Sequence, residues 1–218
     1  MVKEITEITE AEARIHAHVS GDGCLYKGKL KRSPSDLKNH KRINIYQDVY
    51  KIYYCNNESV LLNSFSNDVK EVYGRSSGHR KNVRELKGKW VYERLKRLGA
   101  GKSKEWFIHK EIMEASDKVA REWLKAFFDD EAYIDLRKLN IALNSVNLSG
   151  LKQIQELLKR FNIEDTTICG PYHYKQYFSY RLKILGKDVE RFRVYIGFSH
   201  PKKIRELDEL LDLRELTL

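Results

Sequence analysis

Trp123-Leu124-Lys125-Ala126-Phe127-Phe128-Asp129-Asp130-Glu131-Ala132 is an apolar helical segment that runs into three consecutive acids. Ser116 stands where an N-cap belongs, and Val119, Trp123, Leu124, Ala126 and Phe127 return every three to four residues, so this helix buries one side. The pattern recurs near the start of the chain. Thr9 and Glu12 have the spacing of a capping box, and Ala13, Ile15, Ala17 and Val19 lead to Ser20-Gly21-Asp22-Gly23. Ala17 and Ala126 each stand five residues before an acid, Asp22 and Glu131. Small side chains at matching places let two helices approach closely, and their C-terminal ends then converge.

The rest of the chain repeats in the same way. Gly88-Lys89-Trp90-Val91 with Leu98-Gly99 matches Gly186-Lys187-Asp188-Val189 with Ile196-Gly197. Each of these helices ends at a glycine and follows a strand-like stretch, Asn82 to Leu86 or Tyr177 to Leu185. Upstream, Ser59 opens an amphipathic segment with Leu61, Phe65, Val69 and Val72, and Ser149 opens one with Leu151, Ile154, Leu158 and Phe161.

Forty-one Lys and Arg against thirty-one Asp and Glu give a net charge of +10, the footprint of a nucleic-acid binder when the charge is organised. It is organised here. A period of two puts Lys27, Lys29 and Lys31 on one strand face, and Ser179, Arg181 and Lys183 opposite Tyr180, Leu182 and Ile184. Further basic residues gather at Lys38, Lys41 and Arg42, and at Arg75, Arg80, Lys81 and Arg84. The three cysteines, Cys24, Cys55 and Cys169, are far apart and form no C-x-x-C pair, so they read as reduced thiols. No apolar run approaches the length of a membrane span or signal segment, and a cytoplasmic protein is expected.

A helix C-terminus carries partial negative charge, so bringing a carboxylate from each of two helices together is unfavourable without a cation. Oxygen ligands from Asp22 and Glu131, with Gly21 and Asp130 beside them, suit Mg²⁺, with Mn²⁺ or Ca²⁺ able to substitute in binding. His16 and His18 read as satisfied interface histidines rather than ligands.

Ile15-His16-Ala17-His18-Val19-Ser20-Gly21-Asp22-Gly23 and Leu124-Lys125-Ala126-Phe127-Phe128-Asp129-Asp130-Glu131-Ala132 resemble the two nine-residue motifs of a monomeric, archaeal-type LAGLIDADG homing endonuclease. The run Trp106 to Met113 is similar to that family's linker, and Tyr180 to Ile184 through Phe198 to Lys203 to its closing strand and helix. The resemblance implies an α+β fold of two pseudo-symmetric αββαββα repeats, 1–104 and 105–218. Saddle-shaped antiparallel sheets would straddle double-stranded DNA, with the motif helices at the interface. It implies a monomeric, intron-encoded, Mg²⁺-dependent, site-specific endonuclease with Asp22 and Glu131 as catalytic acids. Lys27, Lys29, Lys31, Arg42, Arg80, Arg137, Arg181 and Lys183 would contact DNA. The alternative is a cleavage-deficient nucleic-acid binder of the same fold, an RNA maturase or a transcriptional regulator.

Two departures matter. Ala132 replaces the usual motif glycine, and Asn57 and Ser145 stand where many members of the family carry an active-site lysine; Lys51 and Lys138 are nearby on strand faces the sequence does not settle.

Overall fold

A computed structural model describes residues 7–35, 45–174 and 177–216, with the side chains of residues 174 and 177 outside that description. The chain runs α1 (Glu10–Ser20), β1 (Gly23–Lys31), β2 (Tyr46–Cys55), α2 (Ser59–Tyr73), β3 (Gly78–Arg80), β4 (Val83–Lys87), α3 (Lys89–Arg97) and α4 (Lys110–Met113). It continues as α5 (Asp117–Glu131), β5 (Ala132–Asp135), β6 (Asn140–Ser145), α6 (Leu148–Lys159), β7 (Thr166–Tyr174), β8 (Tyr177–Ile184), α7 (Asp188–Tyr195) and α8 (Pro201–Glu215). The order αββαββα thus occurs twice. The two antiparallel sheets have the same topology, β1-β2-β4-β3 and β5-β6-β8-β7.

The repeats meet along α1 and α5. Ala13 and Ala17 of α1 are fully buried with the core of the second repeat, whereas Ile15 and Val19 of the same helix belong to the core of the first. One helix therefore serves two cores, which requires apolar residues around most of its surface. Polar bonds also cross this interface. Trp123 Nε1 donates to His16 Nδ1 at 2.9 Å, and Arg14, held by Asp68 of its own repeat, donates across to Glu122 of α5. Burial pushes the His16 pKa down to about 3, so the ring is neutral.

Helix starts partly follow their sequence signals. Glu12 N–H donates to Thr9 Oγ1 at 3.1 Å, and Ser116 caps α5 through Val119 N–H. The other half of the first capping box does not form: the Glu12 carboxylate is buried against Arg94 of α3, at 2.9 and 2.8 Å, and accepts from Tyr73 Oη. Arg94 also reaches Glu111 of α4, which fastens the linker to the first repeat. Asn147 rather than Ser149 caps α6, its side chain accepting from Gly150 N–H at 3.0 Å.

The strand register settles which sheet faces are open. In the first sheet Leu25 pairs with Ile52 and Ile52 with Leu86, and this face carries the helices. Lys27, Lys29 and Lys31 have the same parity as Leu25, so they share one face as expected, but it is the helix-packed face. Lys27 Nζ lies 5.4 Å from the Tyr50 ring, which itself packs on Tyr92 of α3. The expected place of these three lysines on the open, DNA-straddling surface is corrected accordingly. Alternation along one strand groups side chains, and only the partner strands say which group meets the core. The open face carries Cys24, Tyr26, Lys51, Tyr53, Glu85 and Lys87. In the second sheet Leu143 pairs with Leu182 on the core side, which leaves Asn144, Arg181 and Lys183 on the open side.

Candidate active site

The close approach of α1 and α5 brings their C-terminal acids into one recess. A Cβ built on Gly21 would lie 3.1 Å from Asp130 Cβ and 3.5 Å from Glu131 Cγ. Asn56, at the end of β2, donates from one amide nitrogen to Asp22 Oδ2 at 3.3 Å and to Asp130 Oδ1 at 3.2 Å. The fold therefore brings Asp22, Gly21, Asp130 and Glu131 together.

The turn that delivers Asp22 depends on Gly23. A Cβ there would sit 2.6 Å from both Tyr53 O and Val19 Cα, so backbone occupies the space a side chain needs. The second repeat has no such demand: Ala132 takes ordinary extended geometry, φ −85° and ψ 154°, and its methyl group is buried. The missing motif glycine leaves the approach of Glu131 undisturbed.

The three acids differ in environment. Asp130 is enclosed: its Oδ2 lies 2.8 Å from His18 Nδ1, and its Oδ1 accepts from Tyr54 Oη at 2.8 Å as well as from Asn56. Its side chain has no exposed surface, and its carbonyl oxygen accepts from Lys203. Its carboxylate is thus committed to three donors and its carbonyl to Lys203, which leaves the carboxylates of Asp22 and Glu131 as the open ones of the recess. Burial opposes charge on His18, but Asp130 beside it, with help from Asp129 and Asp68, raises its pKa on balance.

Asp22 and Glu131 are less fully compensated: Asn56 and the charges of Lys203 and His18 favour the Asp22 carboxylate, and Lys203 favours that of Glu131. Asp22 reaches solvent yet is recessed; burial first, and repulsion from Asp130 second, push its pKa up to about 6. Burial followed by repulsion from Asp22 and Asp130 pushes Glu131 up to about 7. Two carboxylates held this unfavourably are complementary to an added cation. Among the described residues no three His, Cys, Asp or Glu side chains enclose a metal by themselves. Two carboxylates with the remaining positions left to water and phosphate oxygens is the donor set a hard divalent ion accepts.

Sequence reading missed Lys203. It sits in the first turn of α8, and its Nζ donates to the carbonyls of Phe128 at 3.1 Å, Asp129 at 2.5 Å and Asp130 at 3.3 Å, capping the C-terminus of α5. Asp129 returns the contact by accepting from Ser199 and His200 N–H, at 2.9 Å each for the shorter bonds, at the N-terminus of α8. Each helix thus neutralises the end of the other. Burial lowers the Lys203 pKa, against the pull of Asp129, Asp130, Asp22 and Glu131. The positions expected for lysine do not supply this charge: Asn57 accepts from Asn82, and Ser145 Oγ accepts from Asn147 N–H. Lys51 lies on the open face bound to Glu85, and Lys138 is in the turn beside Asp135. The adjacent Lys202-Lys203 was visible, but nothing local shows that the second of them reaches back to α5.

Of the residues expected at DNA, Arg181 and Lys183 lie on the open sheet face, Arg80 is exposed on the edge strand β3, and Arg137 is exposed in the β5–β6 turn. Arg42, with Lys38 and Lys41, falls outside the described residues. No helix among the described residues is long and apolar enough to cross a membrane.

Comparison with known proteins agrees with this architecture. Residues 118–197 match the family model of the LAGLIDADG-like domain. An uncharacterized protein of Methanocaldococcus jannaschii is 34% identical over 116 residues, which is 47% of this chain and only 42% of that protein. Among solved structures, the homing endonuclease I-DmoI in complex with DNA and Ca superposes with a TM-score of 0.63 at 15% identity, covering 92% of this chain and 97% of that one. Full-length WhiA from Thermatoga maritima gives a TM-score of 0.52 at 12% identity, covering 97% of this chain and 63% of the other.

Proposed function

The chain carries a LAGLIDADG-like domain within a two-repeat LAGLIDADG fold, and we propose that it is a monomeric, site-specific endonuclease for double-stranded DNA that acts with divalent metal held by Asp22 and Glu131. The observation that carries this reading is the convergence of those two acids at the junction of the repeats. Both are held above their ordinary pKa by burial and by neighbouring carboxylates. The net charge of +10 supports an acidic polymer as substrate.

When bound, a divalent ion such as Mg²⁺ supplies Lewis-acid polarisation of a phosphodiester and a water of lowered pKa. The protein's own groups do the rest. Asp22 and Glu131 offer one carboxylate to each strand, and Asn56 orients Asp22 through its amide. Lys203 offsets part of the negative field and keeps the end of α5 in place. In the reaction a water oxygen bonds to phosphorus, the bond to the 3′ oxygen breaks, and the departing oxygen gains a proton. The products are a 5′-phosphate and a 3′-hydroxyl.

The alternative, a nucleic-acid binder of this fold without cleavage, is favoured by the absence of lysine at Asn57 and Ser145. One experiment separates the two. Duplexes are selected from a random pool in Ca²⁺, then incubated with the protein in Mg²⁺ and in EDTA. Cleavage in Mg²⁺ alone supports the endonuclease; tight selective binding without a cut in Mg²⁺ or Mn²⁺ supports the alternative.

A further inference from the structure

Arg181 differs from the other basic residues of the open sheet faces in being held from three sides. Its Nε donates to Asn144 Oδ1, its cross-strand neighbour, at 2.9 Å. Its guanidinium carbon lies 5.2 Å from the centre of the Tyr172 ring and 6.0 Å from that of Tyr133. Among the described residues neither Nη atom has a hydrogen-bond partner. The two ring contacts and the Nε bond restrain the fork while its two terminal nitrogens stay free, so part of the side-chain entropy is already lost before binding. Asn144 also lines a hollow of about 270 Å³ that Glu131 and Gly21 line too, which places this fork beside the candidate catalytic recess.

A planar fork with two adjacent N–H donors matches the O6 and N7 acceptors on the major-groove edge of guanine, whereas phosphate contact needs no such fixed plane. The first repeat offers no counterpart. By register Tyr133, Asn144 and Arg181 correspond to Cys24, Cys55 and Val83, none of which provides a fork of donors. We propose that Arg181 is a specificity-determining residue that reads one guanine next to the cut in the half-site bound by the second repeat, with no guanine reader at the pseudo-equivalent position of the first. This rests on the DNA-binding reading above.

The test is selection from a randomised duplex pool in Ca²⁺, where binding is read without cleavage, with wild type, Arg181→Ala and Arg181→Lys. Wild type is expected to enrich one guanine at the end of one half-site that adjoins the cut. Arg181→Ala should lower the preference at that column about tenfold or more while the other columns persist. Arg181→Lys, a point charge without the fork, should keep affinity better than it keeps the guanine. A consensus unchanged in every column, with affinity falling evenly across sequences, makes Arg181 a phosphate contact and overturns the inference while DNA binding stands. If wild type enriches no sequence, the DNA-reading proposal and this one fail together.

Discussion

His18 Nδ1 and Asp130 Oδ2 are 2.8 Å apart across the junction of the repeats, each on a different motif helix, with 2% and 0% of their side-chain surfaces exposed. The pair is asymmetric in origin, because the positions that match His18 and Asp130 in the other motif hold Phe127 and Gly21. Tyr54 and Asn56 complete the shell around the carboxylate. Asp130→Ala leaves His18 and Tyr54 without an acceptor and Asn56 with Asp22 alone, and removing one partner of a buried pair costs about 3 to 5 kcal/mol. Urea denaturation is expected to show a loss of that order. Once Asp130 is gone, adding His18→Phe should cost little more, since the coupling has already been removed.

Lys203 is expected to matter for both stability and cutting. Lys203→Met removes a charged donor from three carbonyls, a loss of about 1.5 to 3 kcal/mol, and it leaves the negative end of α5 uncompensated beside Glu131. Single-turnover cleavage should slow by about tenfold or more. Lys202→Met, whose parent side chain is exposed and, among the described residues, paired with Glu206 of its own helix, should change neither quantity. Equal effects of the two substitutions would remove Lys203 from the account.

The raised pKa values make a signed prediction. Asp22 and Glu131 titrate near 6 and 7 in the folded chain, above their ordinary range. Between about pH 4 and 7 the native state therefore holds more protons than the unfolded one, and metal-free stability falls as pH rises through this window. Divalent ions compete with those protons. The rise in Tm produced by Ca²⁺ should be larger at pH 8 than at pH 5.5; a rise independent of pH would place the ion elsewhere.

The two glycines of the first motif turn should behave unequally. Gly23→Ala drives a methyl group into Tyr53 O and Val19 Cα at 2.6 Å, so it should destabilise severely or prevent folding. Gly21→Ala meets the side chain of Asp130 at 3.1 Å, a contact that small shifts relieve, and should cost less. Thermal denaturation of the two variants checks the order.

Much of this was legible because duplication doubles each local signal. A helix ending in an acid is ordinary, but Ala17 before Asp22 and Ala126 before Glu131 at the same spacing pointed to one shared recess. The αββαββα order was what the family likeness implied, while the periodicities marked individual helices and strands within it. Contacts distant in sequence were not legible. Lys203 lies 74 positions from the Asp129 carbonyl it caps, and Arg94 lies 82 from Glu12. The face of Lys27, Lys29 and Lys31 was misjudged for a related reason: alternation groups residues, and the core side is fixed only when Ile52 and Leu86 pair in. The fate of Asp130 depended on His18, Tyr54 and Asn56 arriving from the other repeat.

The most direct test of the account is single-turnover cleavage of a selected duplex labelled on each strand, in Mg²⁺, by wild type, Asp22→Asn and Glu131→Gln. The account predicts that wild type cuts both strands and that each substitution abolishes cutting of at least one while Ca²⁺-supported binding persists. Undiminished cutting of both strands by either variant would contradict it.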